Sequence, residues 1–270
     1  MGILAEIIIE HVTHARQTVM LAKGNLIKTY KGSALGWAWA IISPSMQIAV
    51  YYFAFAVGLR VGKAHNGFPY FLWFISGMCP WFYIRATFSG GAGSIRAQSY
   101  LVTKIRYPVS TLPTVVCLSE LIIHVGLVIV VFLIFLCFGF KPDVYWLQLP
   151  LYLFMMFLFM NAWALFSGTI SALSKDFLHL VRSTTMALFW MSGILYDVNN
   201  INNVFIRRIM RLNPVTAIVS GYRSALIDKT WFWEPSNLRL LRNFFVVYAI
   251  LLIISVLTYR KLGKELSDVL

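Results

Sequence analysis

The feature that most limits what this chain can become is a series of apolar stretches too long for a soluble core. A helix rises about 1.5 Å per residue, so crossing about 30 Å of hydrocarbon takes roughly 20 apolar residues. Such stretches run over 40–59, 68–84, 115–140 and 145–173. A fifth, 177–196, is interrupted by His179 and Arg182. A sixth, 244–259, is short but flanked by Arg242 and Arg260, whose long stems reach to either interface. Apolar and aromatic residues make up 59% of the chain and charged ones 12%, about half the usual share. The expected fold is therefore an all-α integral membrane protein with six transmembrane helices; soluble enzyme, secreted domain and disordered protein are excluded.

Basic residues orient the spans, because cytoplasmic loops carry an excess of Lys and Arg. Arg16, Lys23, Lys28 and Lys31 precede the first span, and Arg85, Arg96, Lys104 and Arg106 lie between the second and third. Lys175 and Arg182 flank the next turn on that side, and Arg260, Lys261 and Lys264 close the chain. Both termini are accordingly expected in the cytoplasm. The last loop departs from the rule: it carries Arg207, Arg208, Arg211, Arg223, Lys229, Arg239 and Arg242 on the outer side. Within it Val204 to Leu212 and Val215 to Ile227 read as short helices parted by Asn213 and Pro214, suited to dipping into the outer leaflet. This makes 197–235 an outer re-entrant region.

Residues 1–35 hold no span, yet Ile3, Leu4, Ile7, Ile8, Val12, Val19 and Leu26 fall near one helical face, as in an amphipathic helix lying on the cytoplasmic surface. With Glu6, Glu10, His11 and His14 there, the segment lacks the apolar core of a signal peptide. Residues 94–107 read as a second short cytoplasmic helix, displaying Arg96, Tyr100, Lys104 and Arg106. The formal charge of +13 in so apolar a chain points to anionic membrane lipids as partners and not to nucleic acid.

Catalytic machinery is hard to find. Cys79, Cys117 and Cys137 lie inside apolar stretches at spacings that fit no metal site. The acidic residues are scattered, with no aspartate pair to hold Mg²⁺. His11 and His14 beside Glu10 read as polar decoration of a surface helix. Neither Gly62-Lys63 nor Gly263-Lys264 has the glycine ahead and the hydroxyl residue behind that a P-loop requires. The exception is Glu120 with His124, four residues apart on one face of the third span, read first as a structural pair and second as a proton relay. Aromatics supply 16% of the chain. Most tryptophans fit interface belts, whereas Tyr51, Tyr52 and Phe55 cluster within the first span, where sugar rings can slide by stacking; Trp190 and Tyr196 of the fifth span are the further candidates for that path.

The run Lys28-Thr29-Tyr30-Lys31-Gly32-Ser33-Ala34-Leu35-Gly36-Trp37-Ala38-Trp39, followed by Pro44, resembles the start of the ABC-2 type permeases that export teichoic acid, O-antigen and capsular polysaccharides. Tyr100 to Lys104 with Tyr107-Pro108 is similar to that family's cytoplasmic coupling helix. Asn213-Pro214 with Gly221 to Leu226 is similar to its outer re-entrant region. The likeness runs from about residue 20 to the end. It implies a homodimer in a bacterial inner or plasma membrane, with the conduit between the copies and two separate ABC ATPase subunits docked beneath. ATP and Mg²⁺ would belong to those subunits, with no cofactor on this chain. The substrate would be a lipid-linked polymer, and the basic outer loop, with Arg207, Arg208, Arg211 and Arg223, favours the phosphate-bearing teichoic acids. Coupling would fall to Arg96, Tyr100, Lys104, Arg106 and Tyr107. A membrane-embedded glycosyl or acyl transferase and a membrane scaffold are the alternatives.

Overall fold

A computed structural model describes residues 3–58, 65–105 and 107–266. Among them every regular element is helical. The N-terminal segment forms two helices, α1 (Ile3–Thr13) and α2 (Ala15–Tyr30), which break at His14. They are fastened to the start of α6 (Leu112–Cys137) by polar contacts: His11 Nε2 lies 2.9 Å from Thr114 Oγ1, and Asn25 Nδ2 donates to Ser119 Oγ at 3.3 Å. Ser119 in turn donates to the Ala22 carbonyl at 3.0 Å, and Ser110 donates to the Glu10 carboxylate.

Among the described residues four helical stretches are long and apolar enough to cross a membrane: Gly36–Gly58, Val109–Cys137, Val144–Leu173 and Pro235–Leu262. The first comprises α3 (Trp39–Tyr52) and a closing π-helical turn, Phe53–Gly58. The third holds α7 (Leu149–Leu173), and the last is α11, which begins nine residues before the apolar run expected at 244–259 and so places Arg239 and Arg242 on its outer turns.

The stretch expected over 68–84 is α4 (Tyr70–Ala97), and it extends well past Arg85. Arg85 and Arg96 are therefore helical and not loop residues; the run Ala86 to Ile95 contains no proline, and its small residues seat the helix against α7. A Cβ on Gly91 would lie 2.5 Å from Ala164 Cβ, and one on Gly168 would lie 3.1 Å from the Gly91 carbonyl oxygen, so small side chains set how closely the two helices approach. Trp163 completes the seam, stacking on Phe88 with centroids 4.4 Å apart and donating from Nε1 to the Phe88 carbonyl at 3.0 Å. α4 also packs on α6, α8 (Lys175–Trp190) and α10 (Pro214–Arg223), which makes it the central helix.

α8 is the counterpart of the fifth expected span and is shorter than it. It starts at an N-cap, Ser174 accepting from the Phe177 amide, but ends at Trp190. Its 16 residues cover about 24 Å, short of the hydrocarbon core. The chain then turns through Gly193, whose φ of +63° favours glycine, and a Cβ there would meet Val198 Cγ2 at 2.4 Å. The next helices are α9 (Val204–Leu212), capped by Asn203, and α10, capped by Asn213 with Pro214 in its first turn. Asn213 Nδ2 also donates to the Met191 carbonyl and to Ser192 Oγ, both at 3.0 Å, tying α10 to the turn after α8.

Candidate substrate path and coupling surface

Three regions hold the residues singled out in the sequence. The first is a cavity of about 600 Å³ between α3, α4 and α8. Its apolar wall comprises Met46, Val50, Tyr51, Trp81, Met186 and Phe189, and its polar groups are Gln47, Arg85, Ser89, Arg182 and Thr185. Phe189 is the centre of the aromatic wall, with ring centroids 5.2 Å from Tyr51 and 5.1 Å from Trp81. Of the five aromatic residues expected on the path, only Tyr51 lines this cavity. Tyr52, about 100° further round the helix, packs against Tyr70 and Phe71 at the start of α4. Phe55 meets Trp190 at 6.3 Å, and Tyr196 folds back to donate from its hydroxyl to the Trp190 carbonyl at 2.5 Å. Gln47, Arg85 and Arg182 were not visible as a group in the sequence, because they come from three different helices. An arginine inside the fifth apolar stretch was the one signal.

A smaller cavity of about 260 Å³ adjoins it, sharing Gln47, Arg85 and Ser89 and adding Tyr30, Ser43, Glu120 and His124. The expected Glu120 and His124 pair does not form a hydrogen bond among the described residues. His124 Nε2 instead lies 2.7 Å from Tyr222 Oη, linking α6 to α10, while Glu120 faces the cavity. The neighbouring helix offers the imidazole a buried hydroxyl, and the carboxyl keeps the more open side.

The second region is a cavity of about 650 Å³ where α9, α10 and α11 converge. Arg208 and Arg211 line it, joined by Arg239 and Arg242 from the first turns of α11. Arg211 Nη2 donates to Asn199 Oδ1 at 2.6 Å; partial burial, then the charges of Arg207 and Arg239, lower its pKa from the usual value. Burial raises the pKa of Asp228, against the pull of His65, whose Nε2 is 3.1 Å from Asp228 Oδ1.

Two of the expected outer arginines do other work. Arg207 turns aside and donates from Nη1 to the Ile201 carbonyl at 3.3 Å. Arg223 is buried, with Nη1 donating to the Gly193 carbonyl at 2.7 Å and Nη2 to that of Ile194 at 2.5 Å. Its guanidinium lies 3.5 Å from the centroid of the Trp73 ring. It clamps three segments together and does not present a free charge. Asn213 and Pro214 likewise act as the cap of α10.

The third region is the elbow after α4, expected on the cytoplasmic side. The helix expected over 94–107 is shorter: residues to Ala97 belong to α4, and a separate single turn, α5, covers Ser99–Thr103. Tyr100 is 66% exposed at its start, and Lys104 is exposed at its end. Arg96 is not displayed; its guanidinium donates to the carbonyls of Ser171 and Ala172, at 3.3 and 2.6 Å, satisfying the end of α7. Tyr107 shares a 3.1 Å hydrogen bond between its hydroxyl and Thr18 Oγ1, so it anchors α2. Arg106 lies outside the described residues.

Long apolar helices, a short helix before an arginine-lined lobe and an exposed elbow after α4 make up a membrane-protein architecture. The family model for the ABC-2 type transporter matches residues 16–227, and the chain belongs to that family. Among its relatives is the O-antigen export system permease protein RfbA of Myxococcus xanthus, 26% identical over 211 residues, which cover 78% of this chain and 80% of the relative. A protein of the same name from Klebsiella pneumoniae is 23% identical over 243 residues, covering 90% of this chain and 92% of the relative.

Proposed function

We propose that this chain is the permease of an ATP-driven exporter that moves a lipid-linked polysaccharide from the cytoplasmic to the outer side of a bacterial inner or plasma membrane. It works as a homodimer with two ATPase subunits, which carry the ATP and Mg²⁺. Family membership over residues 16–227 is the observation that carries the reading. The names of the relatives support an O-antigen type glycan, and nothing in the outer arginines singles out teichoic acid.

In this reading the chain crosses the membrane six times with both termini inside, α4 and α8 supplying the second and fifth crossings and α9 and α10 re-entering from outside. Tyr51, with Phe55 and Trp190 beyond it, borders the route, and stacking surfaces of this kind hold a sugar weakly enough to let it move on. The outer cavity with Arg208, Arg211, Arg239 and Arg242 lies at the exit. Tyr100 and Lys104 contact the ATPase, so that its closure is transmitted through α5 to α4 and α6.

The test is co-purification and transport with the cognate ATPase. Joint replacement Tyr100→Ala with Lys104→Ala is expected to leave insertion intact and to abolish ATP-dependent export of the lipid-linked glycan. Wild-type ATPase assembly and export in that variant would overturn the coupling assignment, and absence of ATP-dependent export by the unaltered pair would overturn the function.

A further inference from the structure

We propose that Arg85 and Arg182 bind the phosphoryl group that joins an exported saccharide to its lipid, with the adjoining sugar lying against Tyr51. The inference rests on the exporter reading and adds to it the chemistry by which the substrate is recognised. Both arginines lie on helices amid apolar neighbours and face the same cavity. Arg85 is fifteen residues below the first residue of α4, about 22 Å along the helix, which is the inner-leaflet side of a core about 30 Å thick. A guanidinium at such depth is costly unless it faces a partner or water.

No carboxylate lines this cavity or pairs with either arginine among the described residues; Glu120 lines the adjoining smaller cavity, which Arg85 also borders. Among the described residues the ion pairs are His65 with Asp228 and Lys229 with Asp143, both at the outer side. Arg85 donates from Nη1 to Gln47 Oε1 at 2.8 Å, a neutral acceptor that fixes the side chain without neutralising it. Two arginines, one of them held by Gln47, and no carboxylate in the lining of a cavity of about 600 Å³ define a site for an anion.

The surroundings narrow the anion. Guanidinium forks suit phosphoryl oxygens, which they can engage in pairs. Tyr51 is the partly exposed ring of the aromatic wall and can meet an adjoining sugar, with Trp81 and Phe189 buried behind it. Met46 and Val50 are 62% and 61% exposed on α3, so a hydrocarbon chain attached to the phosphate can stay in the bilayer beside them. A free sugar would leave the arginines unmatched, and a free inorganic anion would leave the apolar wall unused. An ordinary anionic phospholipid shares the phosphoryl and hydrocarbon parts but has no ring for the aromatic wall.

The experiment measures equilibrium binding to the full chain in neutral detergent, with polyprenyl pyrophosphate carrying one N-acetylhexosamine as probe and phosphatidylglycerol as competitor. Arg85→Gln with Arg182→Gln is expected to weaken binding by about 30-fold or more, from loss of two charge-assisted contacts. The matching Lys pair, which keeps charge but loses the fork, should weaken it by only about threefold to fivefold. Tyr51→Ala should weaken the sugar-bearing probe by about tenfold and leave bare polyprenyl pyrophosphate unchanged. Both arginines are exposed, so monodisperse variants are expected, and the Lys pair is read if the Gln pair misfolds.

Wild-type affinity in the Gln pair, or equal affinity with and without Tyr51, overturns the assignment. Competition by phosphatidylglycerol at equal concentration overturns it in favour of a general anionic-lipid site. Binding is read without ATPase, so the two readings fail separately. Arginine-independent binding beside intact export removes this inference alone, whereas arginine-dependent binding without ATP-driven export removes the exporter reading alone.

Discussion

Replacing Arg223 by Met tests whether this arginine clamps the outer lobe. In the folded protein its guanidinium serves the carbonyls of Gly193 and Ile194 at 2.7 and 2.5 Å, and that of Trp73 at 3.5 Å. Leaving a buried acceptor unpaired costs about 1–3 kcal/mol, and the longer Trp73 contact contributes less. Loss of the stack on Trp73 adds about 0.5–2 kcal/mol. Met relieves the cost of burying a cation, which offsets part of this, and leaves a net destabilisation of about 2–4 kcal/mol. At roughly 2–4 °C per kcal/mol for chains of this size, the midpoint of thermal unfolding in detergent should fall by about 4–16 °C.

Gly77 supplies an internal check. A Cβ there would lie 2.5 Å from Arg223 Nη2 and 3.0 Å from Cζ, and the guanidinium is held by carbonyls on its other side, so it has nowhere to move. Gly77→Ala should cost about 1–3 kcal/mol by overpacking. The three nearest atoms to that Cβ all belong to Arg223, so Gly77→Ala should cost little once Arg223→Met is present. The double-mutant cycle should return a coupling of about 1 kcal/mol or more. Additive losses, or a wild-type midpoint for Arg223→Met, would refute the clamp.

At the α4 and α7 seam, Gly91→Ala should lower the unfolding midpoint, and Ala164→Gly should restore part of the loss, since the new Cβ would sit 2.5 Å from that of Ala164. At the outer surface, burial lifts the pKa of Asp228, so its ionised form is disfavoured in the folded state. Its contribution is most favourable below the ordinary carboxylate value of about 4 and is lost as pH rises through the raised value, so Asp228→Asn should be the more stable protein at neutral pH. Unfolding midpoints of the two proteins should converge as pH falls toward about 4, and a constant gap across that range would refute the sign.

What was legible in the sequence follows from what each helix faces. α3 has no buried residue, and α6 and α11 show much of their surface outward, so lipid selects their side chains and hydropathy finds them. α4 is buried from Leu72 to Ile95 over most of its length and packs on five other helices, α3, α6, α7, α8 and α10. Protein, not lipid, selects its residues, so the helix carries Gly77, Gly91, Ser94 and Thr87 in place of leucines, and its uninterrupted apolar run stops at Ile84, before Arg85. The short helices α9 and α10 were legible because their ends are local: Asn203 and Asn213 are caps that act within three residues.

The roles of individual charges were not legible for the opposite reason. Arg96, Arg207 and Arg223 all end on backbone carbonyls of other segments, and a carbonyl has no signature in a sequence. Reading each of them as a displayed cation assumed that an arginine without an acidic partner nearby must be free. Inside a membrane domain the commoner solution is the reverse: interrupted helices leave carbonyls without donors, water is scarce, and arginine reaches several at once. Arg223 fits that logic, because α8 stops at Trp190 and the turn after it leaves the carbonyls of Gly193 and Ile194 in need of a donor. The same reasoning sets Arg85 and Arg182 apart. They border a cavity, and the one hydrogen bond that Arg85 makes there is to the Gln47 side chain, so their unmatched charge is a property of the site and not of the backbone around it.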